Sequence, residues 1–391
     1  MQDVETLLAP LLPGLIALRH ALHEHPETAY QEHATAARIA GELTGIPGLT
    51  LRTGVAGTGI VATLGADKPG PCLALRSDMD ALPMREETGL PYASKNEGAA
   101  HACGHDGHMT CLVGAAKVLS QMADSLSGPV RFVFQPAEES GGGGLLMCQA
   151  GALADPPATA AFALHAWPSL PVGTVGVRGG PAMASTDAFD IVVMGRGTHA
   201  ASPQLGADPI VAAAHIVTAL QTVVSRRLAP YEPAIVTIGM ISGGTARNVI
   251  PDKVELRGTI RTMSANARTK AAEAVRQIAE QTAAAHGATA DVRIKTGYPV
   301  LINDETLASF FRETAVAELG AEALREVSLS LGGEDFAFYG EHIPIVLWRL
   351  GIGDPASSEV ISLHNPRLNF ADDAIAVGVR LHCALALRFG R

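Results

Sequence analysis

Near Pro181 the chain changes its rhythm, and that change restricts the architectures open to it more than any other feature. Before it, short apolar or β-branched runs at 59–64, 72–77, 130–135 and 159–165 alternate with helical periodicity at 108–122 and 142–150, behind two helical stretches at 4–24 and 32–43. Such alternation calls for a layered α/β sheet. From 187 onward the order becomes strand, helix, strand, strand, helix, strand, at 187–195, 208–227, 234–241, 254–262, 265–286 and 290–295. This is the ferredoxin-like split motif, long enough for a core of its own. A helix at 307–319, a strand at 345–350 and a helix at 372–388 resume the first pattern. The expected fold is therefore α/β, an open mixed sheet flanked by helices over 1–182 and 296–391, with an inserted ferredoxin-like α+β domain over 183–295.

A chain of 391 residues, 47% hydrophobic and 17% charged, has material for two such cores and is not a disordered composition. Its formal charge of −10 and the lack of any Lys/Arg cluster argue against nucleic acid and against a polybasic membrane anchor. Apolar runs stay short of the roughly 18–20 residues needed to span a bilayer, so no membrane partner is expected. The opening Met1-Gln-Asp-Val-Glu is acidic where a secretory signal is basic, and the five scattered cysteines have no disulfide-framework spacing. Both point to a cytoplasmic protein.

The candidate chemistry follows the strands of the first pattern. His101-Ala-Cys103-Gly-His105-Asp-Gly-His108 puts a thiol and three imidazoles into eight residues. These are borderline-to-soft ligands suited to a transition metal, and no second Cys-x-x-Cys pair closes a structural cage. The alternative is a polar turn over a buried thiol. In Glu138-Glu139, after the strand at 130–135 and before a glycine run, one carboxylate can bind a metal while its neighbour takes a proton. An exposed acidic loop is the plainer reading of that pair. Asp78 and Asp80 fall on one face of an extended segment, where they could bind a metal or fix a histidine tautomer. His165 and His364 each end an apolar run before a proline-bearing turn, and each also suits a satisfied structural role. Cys103, His105, Glu139, His165 and His364 have the type and number needed for two adjacent metal ions with one shared ligand.

Together with Arg19-His-x-x-His23-x-x-Pro26-Glu27, Arg76-Ser-Asp78-Met-Asp80, Gln135-Pro-Ala-Glu138-Glu139, Leu164-His165-Ala-Trp167, Gly195-x-Gly-x-His199, Asn248-Val-Ile-Pro251, Gly332-Gly-Glu-Asp-Phe336 and His364-Asn-Pro366, the chain resembles the metal-dependent aminoacylase/carboxypeptidase superfamily. Within it the likeness is to the hippurate and auxin-conjugate hydrolase branch, and it covers nearly the whole sequence. The resemblance implies cleavage of N-acyl amino acids, small-molecule substrates, to a carboxylic acid and a free amino acid. It implies two divalent ions, zinc or manganese, with cobalt or nickel also accommodated. Cys103 would replace the bridging aspartate of the wider superfamily, with His105, Glu139, His165 and His364 completing the shell. Glu138 would be the general base and Asp80 the carboxylate that orients a ligand. Asp78 stands where the wider superfamily has a metal-binding histidine, which leaves its role open. The inserted domain would serve as lid and dimerisation domain of a homodimer, with His199 reaching the partner's site to polarise the scissile carbonyl. Asn248 and Arg261 would hold the substrate carboxylate, with Gly333 beside the substrate. A dipeptidase or carboxypeptidase of the same superfamily and a non-catalytic amino-acid or peptide binder are the competing readings. Retention of both Glu138 and Glu139 disfavours the binder. Arg19, His20 and His23 are expected to form a structural hydrogen-bonding face.

Overall fold

The computed structural model describes residues 3–354, 356–357 and 359–391, which leaves Met1 and Gln2 of the acidic N-terminal segment outside the described residues. It divides into two compact units, Met1–Gly180 with Ile302–Ser328 and Asp335–Arg391, and Pro181–Leu301 with Leu329–Glu334. The divisions read from the sequence were 182 and 295. The later edge moves because Tyr298 exchanges backbone and side-chain hydrogen bonds with Thr186, tying the segment after the last strand to the second unit.

The first unit is built on an eight-stranded mixed sheet in the order Leu49–Val55, Gly59–Leu64, Val130–Gln135, Cys72–Asp78, Ala158–Pro171, Ile345–Gly353, Val175–Gly176, Leu324–Arg325. Its four central strands, from Val130–Gln135 to Ile345–Gly353, run parallel, and antiparallel pairs flank them. Central parallel strands are covered on both faces, and the residues of Cys72–Asp78 and Val130–Gln135 are all buried. The edge strand Leu49–Val55 went unrecognised because it is exposed along most of its length and shows no alternation. Helix His105–Gln121 is buried along almost all of its length. Gly114 lets it approach Leu15 and Val379 of two other helices, since a Cβ there would stand 2.6 Å from the Val379 side chain. The helical stretch expected over 4–24 is two helices, Val4–Leu8 and Leu12–Glu24, broken at the Pro10 turn.

In the second unit the sheet order is Ala234–Gly243, Lys253–Thr262, Ser185–Met194, Thr289–Thr296, all antiparallel. Ser185–Met194 alternates buried and part-exposed residues along nearly its whole length, so one face carries Phe189, Ile191 and Val193 into a separate core. Two helices close that core. Pro209–Thr222 starts at Asp208, whose carboxylate accepts the Ile210 and Val211 N–H groups, and Ala265–Ala285 starts at Ser264, which accepts from Ala267. The stretch Pro209–Arg227 is long and apolar enough to cross a membrane by length and composition alone. Ala212, Ala213, Ile216, Leu220 and Val223 account for that character, because they face the core.

Candidate metal centre

The carboxyl ends of the parallel strands carry the chemistry. Asp78 ends one strand, Gln135 ends its neighbour in register with Asp78, and His165 lies within the next. This is where ligands bind in open α/β sheets. Cys103 arrives from the turn before helix His105–Gln121, whose start lies three residues earlier than the periodicity suggested. Gly104 makes that turn with φ 87°, and a Cβ on it would stand 2.8 Å from the Ala166 side chain, so the turn can approach the His165 strand only as glycine.

Four segments converge on the Cys103 thiol, which is 5% exposed. Its Sγ lies 3.6 Å from His165 Nε2 and 3.5 Å from His364 Nε2. His364 Nε2 is 3.3 Å from Glu139 Oε1, which is 3.8 Å from His105 Nε2. Ligands at about 2.0–2.3 Å from a tetrahedral cation stand about 3.3–3.8 Å from one another, so these spacings suit a metal between them. The ligand atoms fall into the triads Cys103–His105–His165 and Cys103–Glu139–His364, which share the thiol. Buried His105 Nε2 and Glu139 Oε1 make no hydrogen bond, as expected of donors reserved for a cation.

Each donor is aimed by a second contact. His105 Nδ1 donates to the Asp80 carbonyl at 2.8 Å and His165 Nδ1 to the Ala166 carbonyl at 2.8 Å, which turns both Nε2 atoms toward the thiol. The Asp80 carboxylate accepts the Glu138 and Glu139 N–H groups, each at 3.0 Å, and so fixes the turn that presents both glutamates. Ala137, with φ 55°, is strained for that turn and donates its N–H to buried Glu32. His364 also sits at positive φ, 63°, and is held by a 2.8 Å bond from its N–H to the Ala102 carbonyl.

Asp78 and His108 engage each other. His108 donates from Nδ1 to Asp78 at 2.7 Å and accepts the Ala166 N–H on Nε2 at 2.8 Å, leaving it no free lone pair. Burial pushes its pKa down to about 4 despite Asp78. The other Asp78 oxygen accepts from Arg76 at 2.9 Å. Asp78 anchors His108 and Arg76, and its Oδ2 also stands 3.6 Å from His105 Nε2 in the candidate group Asp78–His105–His108. His101 is buried with neither ring nitrogen hydrogen-bonded, and its ring lies 6.4 Å from that of His23.

Burial opposes a charge on His105, but Asp78, Asp80 and Glu139 outweigh it and push its pKa up to about 10. Burial and the Glu139 and Glu138 carboxylates hold the Cys103 thiol well above its ordinary value.

One arrangement carried no assignment from the sequence, although its motifs stood out. The buried Arg76 guanidinium donates to Gln135, Asp78 and Asp335 at 3.0, 2.9 and 2.9 Å. The Asp335 carboxylate also accepts Gln135 Nε2 at 2.6 Å and the Gly144 N–H at 2.7 Å, while its own N–H donates to Glu138 Oε1 at 3.3 Å. Arg76 and Asp335 thereby brace Glu138. Behind His105, Arg19 and His23 both donate to Asp106 Oδ2, at 2.9 and 2.8 Å, and His23 also meets Glu86 at 3.2 Å.

That last cluster makes stability depend on pH. Burial disfavours the His23 charge, but Asp106 and Glu86 raise its pKa from 6.5 to about 9, while Asp106 is held well below its ordinary 3.8. The His23 contribution is complete below pH 6.5 and is lost as pH rises through 9. The Asp106 contribution is present above pH 3.8 and is lost as pH falls well below it. We expect the melting temperature of the metal-free protein to fall by several degrees between about pH 7 and pH 9.5 as the His23 contribution is lost. His23→Gln should lower it at pH 6 and flatten the alkaline decline; an unchanged alkaline decline in that variant would refute the assignment.

The remaining candidates lie in the second unit. His199 is exposed in a two-residue strand paired with Val249–Ile250, and its Nδ1 accepts the Ala201 N–H at 3.1 Å. The Ser202 N–H donates to the His199 carbonyl at 2.8 Å. The Asn248 carbonyl accepts the Ala200 N–H. Arg257 is spent on the exposed carboxylates of Asp190 and Glu255, while half-buried Arg261 forms no ion pair among the described residues. Gly333 packs on Thr186, where a Cβ would stand 2.1 Å from that side chain.

With this geometry in hand, the relatives are informative. The chain is 41% identical over 381 residues to an N-acetylcysteine deacetylase of Bacillus subtilis (strain 168), covering 95% of this chain and 96% of that protein. It is 37% identical over 379 residues to the IAA-amino acid hydrolase ILR1-like 4 of Arabidopsis thaliana, covering 96% and 85%. The crystal structure of the Bacillus subtilis YXEP protein, a dinuclear metal binding peptidase from the M20 family, superposes with a TM-score of 0.84 at 38% identity, covering 97% and 98%. Residues 74–388 match the family as a whole, and the chain belongs to peptidase family M20/M25/M40.

Proposed function

We propose that the protein is a metal-dependent amidohydrolase that cleaves N-acyl amino acids to a carboxylic acid and a free amino acid. The observation that carries this reading is the pair of donor triads sharing the Cys103 thiol, with a second glutamate beside them. Two divalent ions held by Cys103, His105, Glu139, His165 and His364 would supply Lewis acidity to the amide carbonyl and to water. Zinc or manganese suits the mixed thiolate, imidazole and carboxylate set, and cobalt or nickel can replace them. Glu138 takes a proton from the attacking water and returns it to the departing amine. Asp80 holds Glu138 and Glu139 in place through their N–H groups. Asn248 and Arg261 bind the α-carboxylate, the guanidinium meeting it bidentately, and Gly333 leaves room beside the substrate. His199 polarises the carbonyl from the partner subunit of a homodimer.

A homodimer is supported by the second unit's edge strand Ala234–Gly243, which exposes Met240 and Ile241, and by Ile210 and Val211 exposed on a helix of the same unit. An open apolar edge of that kind suits a second copy. Unpaired cysteines throughout are in keeping with a cytoplasmic location. The test is amine release from N-acetyl, N-benzoyl and N-indoleacetyl amino acids by the metal-loaded enzyme, beside dipeptides bearing a free α-amine. Turnover of the acyl substrates, lost on chelation and regained with metal, is expected. Turnover of dipeptides alone would move the protein to the dipeptidases.

A further inference from the structure

The row of the sheet that carries His165 continues one strand further to Arg349, which pairs with it in the parallel ladder. Partners in a ladder leave the sheet on the same face, at an inter-strand spacing of about 4.8 Å. Trp167, two residues beyond His165, shares that face. Its ring lies 6.1 Å from the His165 ring, and the Arg349 guanidinium carbon lies 3.8 Å from the Trp167 centroid. Arg349 is 7% exposed, and among the described residues its side chain makes no hydrogen bond or ion pair. Of the other buried arginines, Arg19 and Arg76 each meet two carboxylates, whereas Arg131 bonds only to Thr63 among the described residues. Burial, and then the charge of nearby Arg178, push the Arg349 pKa down to about 10. Unlike Arg131 Nη1, none of the Arg349 nitrogens is a buried atom without a partner, so its N–H edge keeps access to solvent. A guanidinium stacked by its face on an indole still presents its N–H edge to a planar acceptor.

We infer that Arg349 and Trp167 form a carboxylate subsite beside the metal centre, and that the preferred substrate is an N-acyl amino acid whose acyl group comes from a dicarboxylic acid and keeps that acid's second carboxylate free. This rests on the amidohydrolase reading above. There the α-carboxylate belongs to Asn248 and Arg261, so a cation next to His165 is left for a carboxylate on the acyl side. The acyl methylenes would lie along the indole, with the terminal carboxylate taking the guanidinium edge. Hydrolysis is unchanged in kind: water adds across the amide, the dicarboxylic acid leaves with the new carboxylate, and the amine carries the proton.

The experiment compares kcat/KM for N-glutaryl and N-valeryl forms of one amino acid, and for that amino acid against its α-amide, in metal-loaded wild type, Arg349→Met and Arg349→Lys. A charge-assisted contact of this sort is expected to favour glutaryl by about 10- to 100-fold in wild type. The ratio should fall to near one in Arg349→Met and take an intermediate value in Arg349→Lys, which keeps the charge and loses the planar stack. A wild-type ratio near one, a ratio that survives Arg349→Met, or a loss confined to the α-carboxylate comparison would each overturn the proposal. Calorimetry with glutarate and valerate separates this from failure of the parent reading. Arg349-dependent selectivity for glutarate in a protein that hydrolyses no N-acyl amino acid would retain the subsite and discard the amidohydrolase. Equal binding of the two acids would discard the subsite.

Discussion

Glu138→Ala is expected to load metal like the wild type and to release amine from N-acyl amino acids about 1,000-fold more slowly, within the range of roughly 10²–10⁴ that a positioned general base contributes. The two halves of the result have separate causes. Metal content is retained because the shared-thiol triads are complete without Glu138, and because the Asp80 carboxylate holds the Glu138 and Glu139 backbone N–H groups, which an alanine still presents. Turnover is lost because the Glu138 carboxylate is the one beside His105 and Glu139 that those triads do not use. Glu138→Gln keeps the shape and the acceptor for the Asp335 N–H, so its fall should match that of alanine if proton transfer is the role. Metal analysis and amine release on the same preparation decide the matter. A fully loaded variant with wild-type turnover would remove Glu138 from the chemistry.

The sequence was most legible where one physical signal dominated. Alternation in Ser185–Met194 and the strand, helix, strand, strand, helix, strand order specified the small unit, because a sheet with one covered face must alternate. Buried parallel strands were readable as short apolar runs. The edge strand Leu49–Val55 was not, since an exposed edge leaves no hydrophobic imprint. At the site, residue type pointed to Cys103, His105, Glu139, His165 and His364, whose donor atoms the fold brings together. What stayed hidden was the use of backbone groups. Asp80 reaches His105 through its carbonyl, so no side-chain pattern could reveal it. The bracing of Glu138 by Arg76 and Asp335 joins residues 259 apart in sequence, a separation that no local pattern reports. Asp78 was ambiguous because one carboxylate meets His108, Arg76 and the edge of His105 at once.

Cys103→Ser should bind less metal, with at most about half the wild-type stoichiometry, and lose about 100-fold or more in turnover. Cys103→Asp should recover much of both. The thiol sulfur belongs to both donor triads, so its loss removes one ligand from each. A serine hydroxyl does not ionise in the pH range where a thiol can, whereas an aspartate, the residue that the wider superfamily resemblance places here, brings a permanent charge. Protons give a second readout. Without metal, burial and the flanking carboxylates keep Cys103 protonated, and the carboxylates around His105 raise its pKa to about 10 despite its burial. Metal uptake near pH 7 must therefore expel protons, and affinity must rise with pH. The serine variant, with no thiol proton to lose, should release fewer per ion than the wild type in a weakly buffered titration. If Cys103→Ser instead takes up the full complement, expels as many protons and turns over at the wild-type rate, the shared-thiol arrangement is wrong, and the ions would have to be held by His105, Glu139, His165 and His364 alone.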